Sequence, residues 1–109
     1  MLVSLEEAKQ YLRVDTADED AVISGILSSA SRLCMDVARL NEDQWADINS
    51  DKSRSDRYTA AKLTAARETM RVAVLYAVAY LFEHREDADH HQLTLTLRSL
   101  LFALREGVV

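Results

Sequence analysis

His84, His90 and His91 stand among Glu83, Glu86, Asp87 and Asp89, and this is the group in the sequence most like a metal site. A zinc centre needs ligands converging from fixed positions. The spacing here fits no such pattern, and the cluster sits in a charged stretch that reads as a solvated connector, so no metal is expected. Nucleophilic chemistry has one thiol to work with. Cys34 falls on an apolar helical stripe with no histidine near it in sequence, which predicts an inert, buried group. Ser24, Ser28, Ser29 and Ser31 have no evident base. The carboxylates Glu6/Glu7 and Asp18/Glu19/Asp20 lie where helices begin, and capping accounts for them. Gly25 and Gly107 are the only glycines, too few for a phosphate-cradling loop. Arg67, Arg71, Arg98 and Arg105 could meet phosphate or acidic partners, but arginines scattered along helices read first as solvated or paired with nearby acids. Neither catalysis nor a cofactor is expected from these residues.

The elements that must position these side chains are helices. A chain of 109 residues makes one domain, spanning 1–109, because two separate cores would be too small to be stable. Hydrophobic residues make up 49%, ample for one core. Two glycines and no proline argue against a sheet protein, which needs turn residues repeatedly. The net charge of -5 argues against a dedicated nucleic-acid binder, yet an acidic wall would let DNA slide past it. A single cysteine cannot form an internal disulfide and suits a reducing compartment. The N-terminus lacks the basic start and long apolar run of a signal peptide. The longest apolar run, Val72–Phe82, would span about 16 Å as a helix against the roughly 30 Å of a bilayer core. The expectation is a cytoplasmic protein with no membrane contact.

Four helices are predicted. Ser4-Leu5-Glu6-Glu7 is a capping box opening a short helix with Leu5, Ala8 and Leu12 on one stripe. Thr16-Ala17-Asp18-Glu19 is a second such box, opening a helix whose apolar arc runs from Val22 and Ile23 through Leu27, Ala30 and Cys34 to Leu40. The far side of that helix carries Ser24, Gly25, Ser28, Ser29 and Ser31, either a solvated serine face or a site for close approach of a neighbour. Asn41–Arg57 is polar and reads as a loop, with at most one helical turn around Trp45. The third helix is expected over about Ser55–Arg85. Its half at Val72–Phe82 is apolar on every face and so must be the enclosed centre of the bundle. Thirty helical residues measure about 45 Å, longer than the roughly 34 Å diameter of a compact sphere of this mass. The helix must therefore break early or make an elongated subunit. The last helix, about Thr94–Arg105, has two apolar sides. Leu93, Leu97, Leu100, Leu101 and Leu104 suit the core, while Leu95, Phe102 and Val109 recur every seven residues on the opposite side and suggest a partner. Gly107 is its expected C-terminal cap.

The opening Met1-Leu2-Val3-Ser4-Leu5-Glu6-Glu7-Ala8-Lys9-Gln10-Tyr11-Leu12-Arg13-Val14-Asp15, followed by Asp18-Glu19-Asp20-Ala21-Val22-Ile23, resembles that of small phage head–tail connector proteins. The alanine-rich helix ending Ala79-Tyr80-Leu81-Phe82-Glu83-His84-Arg85-Glu86 and the later Leu97-Arg98-Ser99-Leu100-Leu101 fit as well, so the resemblance covers most of the chain apart from Asn41–Arg57. It implies a structural virion protein at the head–tail junction, assembled in the host bacterial cytoplasm. Its expected form is a homo-oligomeric ring, dodecameric by that resemblance. The ring would attach to the portal after DNA packaging, meet a tail-completion protein below, and let DNA through without reading its sequence. On this reading Leu95, Phe102 and Val109 belong to a subunit or portal interface, and Asp43, Asp47, Asp51 and Asp56 line the channel. The other reading is a small helical regulatory or adaptor module that binds one protein as a monomer or dimer.

Overall fold

Ser4 is the first residue whose chemistry sets an element. Its hydroxyl accepts a hydrogen bond from the Glu7 amide (3.1 Å) while the Glu7 carboxylate accepts from the Ser4 amide, and the capping box opens α1, Leu5–Leu12. In this computed structural model, which describes residues 2–86 and 89–105, the further helices are α2 (Asp20–Val37), α3 (Glu42–Ile48), α4 (Ala60–Glu83), α5 (His91–Leu100) and α6 (Phe102–Arg105). No strand occurs among the described residues. The molecule is a small all-α bundle, as its residue pattern predicts.

Both α1 and α2 end without glycine. Arg13 (φ 60°) and Arg39 (φ 57°) take the left-handed conformation that glycine normally supplies. The amides of Val14 and Leu40 then reach back to the carbonyls of Lys9 (2.9 Å) and Met35 (3.1 Å), closing each helix end.

α2 and α4 form the centre. Ile23, Leu27, Ala30 and Cys34 pack into a core with Leu63, Ala66, Met70, Ala73, Val74, Ala77 and Val78. The alanines on both helices permit close approach. Val3, Ala8, Ile48, Leu93, Leu97 and Leu101 close the core from the remaining elements.

Several boundaries differ from the sequence reading. The second capping box does not form: α2 starts at Asp20, with Glu19 as an N-cap whose side chain makes no capping bond. Tertiary ion pairs have claimed these acids, since Glu19 meets Arg85 (3.0 Å) and Asp20 meets Lys9 (2.8 Å). The polar stretch after Leu40 is not simply a loop. Asn41 and Gln44 exchange side-chain to amide bonds (2.8 and 2.9 Å) and start α3, so part of the polarity there is capping chemistry. α4 starts at Ala60, capped by the Thr59 hydroxyl, because Ser55 instead holds a turn by accepting from the amides of Arg57 and Tyr58. α5 starts at His91, and the helical path breaks for one residue at Leu101. Gly107, the expected C-cap, lies outside the described residues.

At 24 residues α4 is about 36 Å long, shorter than the sequence reading made it. The molecule measures 41 × 28 × 20 Å with a radius of gyration of 14.0 Å, close to the roughly 13 Å of a compact chain this size. The surplus helix length is therefore modest. No helix of the described residues is long and apolar enough to cross a membrane.

Candidate interaction surfaces

The outer side of α5–α6 carries Leu95 and Phe102, pointing away from the core stripe of Leu93, Leu97 and Leu101. Leu95 is 42% exposed and Phe102 58% exposed, so the described residues leave them largely uncovered. Val109, the third residue of the expected stripe, lies outside the described residues. Hydrogen bonds from the Leu101 amide to the Leu97 carbonyl (2.8 Å) and from the Arg105 amide to the Leu101 carbonyl (3.0 Å) carry helical geometry across the break. Leu95, Arg98, Phe102 and Arg105 therefore follow one another at intervals of three, four and three residues along one face.

α4 holds a second uncovered face that the sequence reading missed. Val72 is 58% exposed and Tyr76 38% exposed, although the surrounding segment is apolar enough to be enclosed on every side. α1, α2 and α5 pack around the other sides of α4 and leave this one open. Glu68 and Glu83, both exposed, flank the two apolar residues along it. Val22, placed by its spacing in the core arc of α2, is also 45% exposed and lines a groove of about 410 Å³ with Gly25, Ile26, Leu81, His84 and His90. That arc is wider than its neighbours can cover. The small-residue side of α2 stays open, with nothing within 4 Å of a Cβ placed on Gly25.

The acidic candidates separate by environment. Asp43, Asp51 and Asp56 are exposed, whereas Asp47 is buried. The Arg57 guanidinium holds Asp47 at 3.0 Å and reaches Asp43 at 3.5 Å. Burial pushes the Asp47 carboxyl up, but hydrogen bonds from Arg57 and Ser55 and the Arg57 charge outweigh it, leaving the group below the usual carboxylate range.

Arg67 and Arg71, one turn apart on α4, are construction residues. Arg67 donates to the carbonyls of Asp47 and Ile48 (both 3.1 Å), closing the C-terminus of α3. Arg71 donates to the Leu2 carbonyl (2.7 Å) and pairs with Glu7, whose carboxyl its hydrogen bond lowers. The Leu2 amide in turn donates to Asn49, so the start of the chain, α3 and α4 are tied together. Beside this junction a cleft of about 260 Å³ lies between Leu2, Val3, Met35, Trp45 and Val74, with the Arg32–Glu42 pair (3.2 Å) at its rim.

Two of the three histidines, His84 and His90, are engaged with an aromatic ring. His84 stacks on Tyr80 at 4.2 Å and His90 meets the same ring edge-on at 6.1 Å. Among the described residues no three potential ligands converge on a metal-sized site. Burial pushes the Cys34 thiol up to about 12, which leaves it protonated and unreactive. The chemistry these surfaces offer is that of contact: apolar side chains with charged neighbours, presented on rigid helices.

A family model described as phage gp6-like head-tail connector protein matches residues 2–106. The match runs through the polar stretch at 41–57, which the resemblance by residues had left out. No curated protein and no solved structure matches the chain.

Proposed function

The chain belongs to the phage gp6-like head–tail connector protein family, and from that membership we propose that it forms a homo-oligomeric ring that attaches to the portal after DNA packaging and links head to tail. Its role is that of a structural connector of the phage particle. The observation that carries the reading is the family match itself, which spans residues 2–106 and with them the six helices of the described residues.

In this reading the ring is a dodecamer, built in the host cytoplasm and carried into the virion at the head–tail junction. The uncovered face bearing Leu95 and Phe102 supports it, because a single chain gains nothing from two large apolar side chains in water. They meet a neighbouring subunit or the portal, and the opposite rim offers a docking surface to a tail-completion protein. DNA passes through the channel without sequence readout, since a chain of net charge -5 repels phosphate. The exposed carboxylates of Asp43, Asp51 and Asp56 face that channel, with Asp47 contributing a charge already shared with Arg57.

Electron microscopy of the chain mixed with its portal tests the proposal. Rings are expected, with residues 43–56 on the inner wall. Phe102→Asp should abolish ring assembly while leaving helicity unchanged. Intact rings from Phe102→Asp would exclude that contact. A chain that stays single beside the portal would favour a small protein-binding module instead.

A further inference from the structure

Two of the uncovered helical faces among the described residues are both apolar and opposite in charge. The α4 face presents Val72 and Tyr76 between Glu68 and Glu83. The α5–α6 face presents Leu95 and Phe102 with Arg98 between them and Arg105 beyond. None of Glu68, Glu83, Arg98 and Arg105 has an ion-pair partner among the described residues, where the pairs are Lys9–Asp20, Arg32–Asp36, Arg32–Glu42, Arg57–Asp43, Arg57–Asp47, Arg71–Glu7 and Arg85–Glu19. Between His90 and Arg105 there is no acid at all.

From this complementarity we infer that the α5–α6 face of one copy seats on the α4 face of the next, head to tail, and that this contact propagates the assembly. The inference rests on the ring reading and supplies its subunit contact. The occupant is a second copy because one chain carries both halves, and an acidic apolar face rejects its own like while accepting a basic apolar one. Two different patches joined in this way make a heterologous contact, which closes into a ring when the rotation permits.

The spacing fits as well as the charge. At about 1.5 Å per residue, antiparallel helices with Phe102 set on Val72 bring Arg105 to Glu68, Arg98 over the Tyr76 ring and Leu95 onto Ala79. With the helices parallel and Leu95 on Val72, Arg105 comes to Glu83 instead. Either direction buries the four large apolar residues and pairs an arginine with an acid.

Disulfide trapping between two single variants tests the contact. Val72→Cys is paired with Phe102→Cys for antiparallel helices or with Leu95→Cys for parallel ones, all at exposed positions, and the buried Cys34 thiol stays protonated and out of the reaction. When the two variants of a pair are mixed and oxidised, alone and beside portal rings, the cross-link should form between unlike chains at least about tenfold more than between like ones. A chain carrying both substitutions should give a ladder of covalent oligomers. Arg105→Glu should weaken wild-type assembly, and adding Glu68→Arg or Glu83→Arg should restore it, the effective one reporting the direction of the helices. Rings that form without unlike cross-links, or with Phe102→Cys joined only to itself, would overturn this contact and leave the ring reading standing. A wild-type chain that remains single by mass at every concentration, with and without the portal, would overturn both.

Discussion

Asp47 is where a polar residue does structural duty. Its carboxyl lies below the usual range because Arg57 and Ser55 stabilise its charged form against the cost of burial, so its folded pKa is lower than its unfolded value of about 4. A depressed acid contributes stability that is present above the unfolded pKa and is lost as pH falls through the folded one. Glu7, lowered by Arg71, acts in the same direction. Thermal melts should therefore show the protein weakening as pH drops below about 4. Asp47→Asn should lower the melting temperature at pH 7 and make the acid decline shallower. An unchanged acid profile would mean that the Arg57 pair does not stabilise the fold. Gly25 is the converse case, a helical residue with open space where a side chain would go. Gly25→Ala should raise stability by about 0.5–1 kcal/mol, measurable as a higher urea midpoint at unchanged slope. Loss of stability would show that the small-residue face of α2 is covered within the chain.

Elements in this protein are ended and joined by arginines. Arg39 closes α2 in the left-handed conformation, which costs a side-chain-bearing residue about 1 kcal/mol relative to glycine. Arg39→Gly should recover part of that cost and raise the melting temperature. A lower one would reveal that the Arg39 side chain makes a compensating contact. Arg67 binds the last carbonyls of α3 from α4, and its removal leaves them unsatisfied at a partly buried junction. Arg67→Ala should cost about 1–3 kcal/mol, with α3 losing hydrogen-exchange protection before the α2–α4 centre does. Equal loss of protection in α3 and α4 would mean that α3 does not open separately.

For the whole molecule, the bundle makes a sufficient core and then leaves apolar surface over. Among the described residues α1, α2, α3 and α5 cover α4 on all sides but one, and the second side of α5 stays uncovered. Folding and assembly are therefore separable by mutation. Phe102→Asp and Val72→Asp should each leave unfolding free energy within about 0.5 kcal/mol of wild type, because both positions are exposed. Each should nevertheless abolish rings in electron micrographs. Leu97→Ala should behave oppositely, costing about 2–5 kcal/mol through the cavity it opens in the core. If Phe102→Asp proved as destabilising as Leu97→Ala, the α5–α6 face would belong to the fold rather than to a partner.

Much of this was readable from residues alone, for a local reason. A hydroxyl at Ser4 meets Glu7 three positions on, and Leu93, Leu97 and Leu101 share a helix face whatever surrounds them, so the helical class, the first cap and the core side of α5 follow from short-range geometry. The outward stripe at Leu95 and Phe102 followed from the same periodicity. The Asn41–Gln44 cap was written just as locally, in an asparagine and a glutamine rather than the serine and glutamate of the first box. What the residues could not show depends on pairs far apart in the chain. Arg85 takes the glutamate of the capping box expected for α2, Lys9 pairs with Asp20 beside it, Arg67 closes a helix about twenty positions before it, and Arg71 reaches back to Glu7. Val72 and Tyr76 were the sharpest case. An apolar segment states only that cover is needed, and whether a neighbouring helix reaches each side is decided by how the helices cross. Here they cross so as to leave one side of α4 open, and with it the acidic apolar face on which a second copy can sit.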